Sequence, residues 1–293
     1  YGNKIIIPFY LSKLYQRNND YEMQYNELKK SIKSYSEANK EVYERIYYDL
    51  AMNCYYLGKH EEGIEFADLY ISKTKKDANK GYMFFIKAAL LEKIEKFDLA
   101  LETYIKSFEL NGNGFKNTNG ISYSSALINA FELSIYTNNL KQASEIINNQ
   151  IIKNNNNLYK IFNSIIKKKK GDSANLIIDF NYDEKNSDDW YNLRLTTNYL
   201  HLLYLNKEFE KLIEICLMTK DDDGFLYILA QAYLNNGDVF NSILTTSKLI
   251  ENIENANEDG DTLSVLDIDF FDNVDIEKAN KLLSKLKSKL ITN

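Results

Sequence analysis

The stretch Leu229-Ala230-Gln231-Ala232-Tyr233-Leu234-Asn235-Asn236-Gly237-Asp238, followed by Ser242-Ile243, decides the fold. A second copy of the pattern is Leu50-Ala51-Met52-Asn53-Cys54-Tyr55-Tyr56-Leu57-Gly58-Lys59-His60, followed by Gly63-Ile64. In both copies, aliphatic and small residues recur at helical spacing, and a turn with a glycine leads to a second helical pattern. A unit that recurs about every 30 to 43 residues predicts a stack of similar helix pairs, because one pair cannot bury its apolar face alone.

The repeats align on the turn between the two helices of each pair. The turn leads to a residue that is usually aromatic or aliphatic, and three positions later there is usually a small or aliphatic residue. The six markers are Tyr21 with Gln24, His60 with Gly63, Phe97 with Ala100, Leu140 with Ala143, Phe209 with Leu212, and Val239 with Ser242. The step from Leu140 to Phe209 is about twice the usual period. One further, divergent helix pair is therefore predicted between about Leu158 and Tyr191.

The composition favours an almost entirely helical protein. Among 293 residues there are one proline and 11 glycines, the two residues that weaken helix interiors most. A net charge of −6 and a pI near 5.2 disfavour nucleic-acid binding, which usually needs a basic face. No run of 18 apolar residues occurs, so no membrane-spanning helix is predicted.

Large and small residues alternate in a way that lets helices approach closely. The pattern is carried by three sets of positions: Tyr47, Leu50, Ala51 and Cys54; Leu226, Leu229, Ala230 and Tyr233; and Phe84, Ala88, Leu91, Ala100, Tyr104 and Phe108. It resembles the tetratricopeptide repeat family from about Pro8 to Ile253. The resemblance implies an all-α fold, a right-handed α-solenoid of stacked antiparallel helix pairs. The family's proline after the second helix is missing throughout, since Pro8 is the only proline.

The chain is predicted to contain six to seven helix pairs in a repeat array over residues 1–254. An acidic polar loop follows over 255–274, and a C-terminal capping helix over 275–293. In that last helix, apolar residues recur at helical spacing, namely Ala279, Leu282, Leu283, Leu286 and Leu290. Pro8 is expected to open the first helix. Two polar stretches, 111–120 and 154–157, are predicted to interrupt the array.

The resemblance implies that ligands lie along a concave surface lined by the first helix of each pair. By register, the residues on that surface are Tyr48, Tyr55, Tyr82, Phe85, Tyr136, Arg194, His201, Tyr204, Tyr227 and Gln231. Most are aromatic, and tyrosine offers a large contact area together with a hydroxyl group, which suits a protein or peptide partner. The alternative is that these side chains pack between repeats.

The resemblance implies a noncatalytic scaffold or adaptor that binds a protein or peptide partner. A subunit of a bacterial envelope or motor-associated assembly is one form of this hypothesis. Because the sequence starts at Tyr1 and not at Met, we expect a segment to have been removed, and a periplasmic or envelope location is favoured over the cytoplasm. The alternative function is a peptide-sensing regulatory domain of a larger protein. An enzyme is disfavoured because no nucleophile elbow, phosphate loop or paired catalytic motif occurs.

Other candidate sites have simpler interpretations, and no cofactor or metal is predicted. The stretch from Asn255 to Asp261 resembles the start of a calcium loop, but Leu266 stands where the bidentate Glu is needed. The run Lys167–Lys170 is either an anionic-lipid or phosphate patch or, as favoured here, the basic end of a helix. Cys54 and Cys216 are interpreted as core residues, not a disulfide.

Overall fold

The computed structural model describes residues 3–33, 40–111, 115–116, 122–154, 156–172, 190–218, 225–258, 274 and 276–292. Its helices are α1 Asn3–Arg17, α2 Tyr21–Lys33, α3 Lys40–Tyr56, α4 His60–Lys73, α5 Asp77–Lys93, α6 Phe97–Asn111, α7 Ser125–Tyr136, α8 Leu140–Ile147, α9 Gln150–Asn154, α10 Asn156–Lys169, α11 Trp190–Asn206, α12 Phe209–Met218, α13 Leu226–Asn235, α14 Val239–Glu258 and α15 Ile276–Thr292. Two two-residue strands, β1 Phe115–Lys116 and β2 Ser122–Tyr123, form a ladder.

The helix pairs lie where the sequence repeat places them. Each of the six marker residues is the first residue of a helix, which confirms the alignment of the repeats. These markers open the second helices of the pairs α1–α2, α3–α4, α5–α6, α7–α8, α11–α12 and α13–α14. The second helix of the fourth pair is broken, since α8 ends at Ile147 and α9 begins only at Gln150.

A single backbone geometry closes all six turns. Two residues before each second helix, one residue has a positive φ, and the next residue donates its N–H to the carbonyl five positions earlier. In the last pair these are Gly237, at φ 86°, and the bond from Asp238 N to Tyr233 O at 2.9 Å. This is the Schellman turn that ends many helices. The six positive-φ residues are Asn19, Gly58, Glu95, Asn138, Lys207 and Gly237.

The same turn follows α10. Gly171 has a φ of 84°, and Asp172 N bonds to Lys167 O at 2.9 Å. On its buried face α10 carries apolar residues such as Ile161 and Phe162. These features are the ones expected of the first helix of the further pair, and the pair itself stays a prediction. The second helix of that predicted pair falls within 173–189, outside the described residues.

The chain divides into two compact units, of which the first comprises residues 1–115 and 124–133. Within it, α2 packs against α3, α4 against α5, and α3 against α5, in addition to the packing inside each pair. Large apolar side chains fill the space between these helices, and their burial is the main stabilising term. Those fully buried include Leu28, Ile46, Leu50, Met83 and Leu90.

A polar link joins successive second helices in this unit. The Tyr25 hydroxyl on α2 donates to Glu62 Oε2 on α4 at 2.6 Å, and Lys29 Nζ lies 2.7 Å from Glu62 Oε1. Burial acts to raise the pKa of the Glu62 carboxyl, but the hydrogen bonds from Lys29 and Tyr25 outweigh it and hold the pKa below its ordinary value. The carboxylate is therefore charged at neutral pH and ties α2 to α4.

The second unit comprises residues 116–123 and 134–293. In it, α10 packs against α8 and α11, and the packing continues from α11 through α12, α13 and α14 to α15. On α15, Ala279, Leu282 and Leu286 are buried in one cluster with Leu249 and Ile253 of α14. The last helix therefore covers the apolar face of the last pair, as the C-terminal end of a repeat stack requires.

Three sequence expectations need correction. Pro8 does not open the first helix, because α1 begins at Asn3 and contains Pro8 in its second turn. Within the stretch 111–120, Asn111 ends α6 and Phe115–Lys116 form a strand. The polar stretch from Asn255 does not end α14, which continues to Glu258, so the first ligand positions of the calcium-like sequence are helical. The remainder of the predicted acidic loop, 259–273, lies outside the described residues.

At Gly63, α4 lies close to both α3 and α5. A Cβ at this position would lie 2.9 Å from Cys54 Cβ on α3 and 3.0 Å from Leu90 Cδ2 on α5. Contacts this short force a shift, and here the obstacle on α3 is a Cβ fixed to its own backbone. Helix α3 thus contacts α4 at a position where any residue other than glycine would force one of the helices to shift.

Gly63→Ala is expected to lower the free energy of unfolding by about 1 to 3 kcal/mol through overpacking. Helix propensity by itself would act in the opposite direction by about 1 kcal/mol. Urea denaturation of both proteins measures the difference, with Glu65→Ala on the exposed side of α4 as a near-neutral control. A stabilised Gly63→Ala variant would contradict the close approach.

Glu95→Gly and Lys207→Gly are each expected to raise the free energy of unfolding by about 0.5 to 1 kcal/mol. Both residues adopt φ near +60°, where a Cβ is strained and glycine is not. Thermal and urea unfolding would measure the gain. Glu65→Gly, inside α4, should instead lose about 1 kcal/mol. Equal losses for all three variants would sink this explanation of the turns.

Candidate functional site

The best-formed candidate surface lies on α3 and α5 in the first unit. Tyr48 and Tyr82 stack on each other, with ring centroids 5.9 Å apart and planes inclined by 19°. Tyr82 is 42% exposed and Tyr48 is half-buried. Beneath them, Tyr70 of α4 meets the Tyr48 ring edge-on at 5.9 Å. Two successive first helices thus bring together two predicted contact residues.

An arginine extends this stack. The Arg45 guanidinium lies 4.4 Å from the centroid of the Tyr48 ring, within cation–π range. Its Nε is 3.2 Å from Oδ1 of Asp49, one turn along α3. Asp49 is only 1% exposed, and Lys13 of α1 holds its other oxygen at 2.6 Å. The arginine is therefore fixed from two sides although its side chain is 51% exposed.

A second pair of tyrosines continues the surface towards the turn end of α3. Tyr56 stacks on Tyr21, the first residue of α2, at 4.5 Å and 16°. Tyr56 is 54% exposed. Its pKa is raised by burial first, and Tyr21 and Tyr82 add to the rise. We call the set Arg45, Tyr48, Tyr82, Tyr56 and Tyr21 the aromatic row.

The aromatic row combines tyrosine hydroxyls with the positive charge of Arg45. Burial, together with a hydrogen bond to Tyr82, raises the pKa of Tyr48 far above its ordinary value. Tyr48 and Tyr56, whose pKa values are raised, therefore remain neutral at physiological pH, and phenol hydroxyls can both donate and accept hydrogen bonds. Arg45 contributes the positive charge of the row, and its planar fork matches a carboxylate. The arrangement can hold apolar groups, peptide amides and one anion, but it offers no activated nucleophile.

Two other predicted contact residues of this unit, Tyr55 and Phe85, are half-buried. Tyr55 meets Tyr56 edge-on at 5.6 Å, and burial raises the Tyr55 pKa. Phe85 meets the buried Tyr104 edge-on at 5.5 Å, and the Tyr104 hydroxyl donates to Glu92 at 2.7 Å. Both side chains make packing contacts, and their role in binding a partner stays a prediction.

The predicted residues of the second unit are less uniform. Tyr136 is 43% exposed, whereas His201 and Tyr227 are 4% and 7% exposed. Tyr227 lies in the cluster beneath α15, with Lys278 Nζ 5.7 Å from its ring centroid. Half-buried positions are occupied by Arg194, Tyr204 and Gln231. A contact residue must have exposed surface, and the side chains of His201 and Tyr227 are buried.

Sequence reasoning missed three members of the row: Tyr21, Arg45 and Tyr56. Arg45 lies three positions before Tyr48, so it shares the helix face that was assigned to Tyr48. Tyr56 neighbours a predicted residue in sequence, but adjacent positions on a helix point about 100° apart. Tyr21 was read as a marker of the turn. The i, i+3 spacing could have predicted Arg45 from the sequence. The positions of Tyr21 and Tyr56 follow from the packing at the turn, which the sequence pattern does not show.

The described cysteines and His60 are separate from the aromatic row. Burial raises the pKa of the Cys54 thiol to about 12 and that of Cys216 higher still. Burial and Lys93 lower the His60 pKa. In the part of the chain that the structure describes, no cluster of three His, Cys, Asp or Glu side chains is placed to hold a metal ion. Lys167–Lys169 form the last turn of α10, where basic residues complement the helix dipole.

Native protein is therefore expected to resist a thiol reagent such as DTNB at pH 8. The thiolate is the reacting species, and both thiols are buried with raised pKa values. Absorbance at 412 nm should show two reactive thiols in denaturant and a small fraction of that rate without it. Fast, stoichiometric labelling of the native chain would contradict the buried positions.

Comparison with solved structures identifies the fold. A solved tetratricopeptide repeat protein from Parabacteroides merdae superposes with a TM-score of 0.62 at 15% sequence identity, covering 97% of this chain and 99% of the other. No family model and no curated protein matches the sequence. The chain thus has the fold of a tetratricopeptide repeat protein, an all-α solenoid of helix pairs with a C-terminal capping helix. No helix among the described residues is long and apolar enough to cross a membrane.

Proposed function

We propose that this protein is a noncatalytic interaction scaffold that binds an extended segment of a partner protein across the aromatic row. The observation that supports this most is the exposed Tyr48–Tyr82 stack, with Arg45 fixed against it. Stacked, partly supported tyrosines bury a large area on contact and lose little conformational entropy, because their neighbours already restrain them.

The composition of the row suits a protein partner. Tyrosine and arginine are the residue types that dominate binding energy at protein interfaces. Here Tyr56 and Tyr82 are each more than 40% exposed, although both are large aromatic side chains. Their hydroxyls can bond the amides of an extended backbone while the rings cover its apolar side chains. Arg45 adds a preference for a partner that carries a carboxylate near this segment.

The absence of a catalytic role is also part of the proposal. The pKa values of Tyr48 and Tyr56 are raised, so these two phenols do not ionise near neutral pH. General acid–base work at pH 7 needs a group that titrates near that pH. A binding role needs only shape and hydrogen-bonding groups, which the row supplies. Membership of a bacterial envelope or motor-associated assembly stays a prediction, and fractionation of source cells would test it.

Tyr56→Ala/Tyr82→Ala is expected to weaken binding of a partner peptide at least tenfold. Such a peptide would be selected from a displayed library panned on the intact chain, and the dissociation constants measured by calorimetry. Loss of two interface anchors costs about 2 kcal/mol or more, and each 1.4 kcal/mol is a factor of ten. Both rings are substantially exposed, so the helical circular dichroism should not change.

Phe240→Ala is the matched control. Phe240 on α14 is 66% exposed, so its removal also deletes an exposed aromatic ring but lies outside the row. The control should bind the selected peptides like the native chain. If both variants keep native affinity for every selected peptide, or if no peptide competes for the row, the proposed site is wrong.

A further inference from the structure

Two amide side chains are buried where α2 packs against α3. Gln24 on α2 is 1% exposed, and Asn53 on α3 is 2% exposed. Glutamine and asparagine are mostly surface residues, and buried polar groups are nearly always hydrogen-bonded. A buried pair of this kind therefore calls for hydrogen-bond partners inside the protein.

The packing of α2 against α3 places the two amides opposite each other. Tyr21 on α2 stacks on Tyr56 on α3 at 4.5 Å, which fixes one contact between these helices. Successive helices of the stack run antiparallel, so three positions forward along α2 correspond to three positions back along α3. These positions are Gln24 and Asn53, and each lies on the same helix face as its tyrosine.

The following helices show the equivalent contact directly. Gln24 and Gly63 each lie three positions after the first residue of their helix, α2 and α4. Asn53 on α3 and Leu90 on α5 each lie seven positions before the first residue of the next helix. A Cβ at Gly63 would lie 3.0 Å from Leu90 Cδ2. The positions that glycine and leucine occupy between α4 and α5 are thus occupied by two amides between α2 and α3.

The two amides leave one donor and one acceptor without a partner among the described residues. Asn53 Nδ2 donates to the backbone carbonyl of Asp49 at 2.9 Å, which fixes the orientation of the Asn53 amide. Asn53 Oδ1 then receives no hydrogen bond from the described residues, and Gln24 Nε2 donates none to them. Both atoms are shielded from bulk solvent, so leaving them unbonded would be costly.

We propose that Gln24 and Asn53 hold a buried water molecule one helical turn from the Tyr21–Tyr56 stack. The water accepts a hydrogen bond from Gln24 Nε2 and donates one to Asn53 Oδ1, so it matches the one donor and the one acceptor that remain. Buried waters characteristically bridge polar groups that have no other partner. This site does not depend on the binding function proposed for the aromatic row.

The charges around the site favour water over an ion. Asp49, one turn away on α3, is already balanced by Lys13 at 2.6 Å and Arg45 at 3.2 Å. Glu27, one turn away on α2, pairs with Lys30. The two amides are themselves neutral, so they offer no charge to compensate the desolvation of an ion. Water needs only hydrogen-bonding partners, which the amides supply.

A high-resolution crystal structure of the intact chain tests the site directly. We expect density for an ordered water within about 3.2 Å of both Gln24 Nε2 and Asn53 Oδ1. A direct hydrogen bond between the two amides would overturn the proposal. Ordered side chains with no density between them would overturn it as well.

Urea unfolding tests the same site in solution through two substitutions of similar volume. Gln24→Met and Asn53→Leu should each lower the urea midpoint, because each leaves the water and the opposite amide with one partner fewer. Gln24→Met/Asn53→Leu removes both amides and should recover at least half of the summed loss, since an apolar pair needs no water.

Gln142→Met, which replaces a half-buried glutamine of α8, is the matched control and should keep the native midpoint. Losses that simply add in Gln24→Met/Asn53→Leu would show that the two amides share no water, and the proposal would fall.

Discussion

The antiparallel pairing of helices depends on one backbone hydrogen bond that recurs at the turn inside each of the six helix pairs. A residue with positive φ reverses the chain, and the following N–H closes on the carbonyl five positions back. This fixes where the second helix starts, and so which of its residues face the first. Where glycine or asparagine occupies the turn, the conformation costs little. At Glu95 and Lys207 the surrounding packing maintains it against a steric penalty.

The stacking of pairs explains the aromatic row. Since α3 packs against α5, a side chain on the exposed edge of one first helix lies beside its counterpart on the next. Tyr48 and Tyr82 meet for this reason, and their contact is a consequence of the repeat rather than of the local sequence. The turn then adds Tyr21 and Tyr56, because the start of α2 lies beside the end of α3. Binding surface in such a protein is assembled from positions about one period apart.

Much of the fold was predictable because each helix pair is specified by local sequence patterns, namely helical spacing of apolar residues and the turn markers. All six turn markers proved to be the first residues of helices, from Tyr21 to Val239. Element ends were less predictable: Pro8 is accommodated near the start of α1, and α14 continues through polar residues to Glu258. The site was predictable only in part. Helix register predicts which face a residue lies on, but it does not predict whether another element covers that face. Tyr82 and Tyr227 share a predicted face, yet the first is exposed and α15 covers the second.

The buried carboxylate of Asp49 links α1 to the aromatic row. Lys13 reaches it from α1, and Arg45 reaches it from the aromatic row. A buried charge must keep compensation, so a ligand that draws Arg45 away leaves Lys13 as the main counter-ion. The electrostatic cost of displacing either cation therefore depends on the position of the other. A ligand that binds Arg45 at the proposed site would therefore be linked thermodynamically to the anchoring of α1 by Lys13.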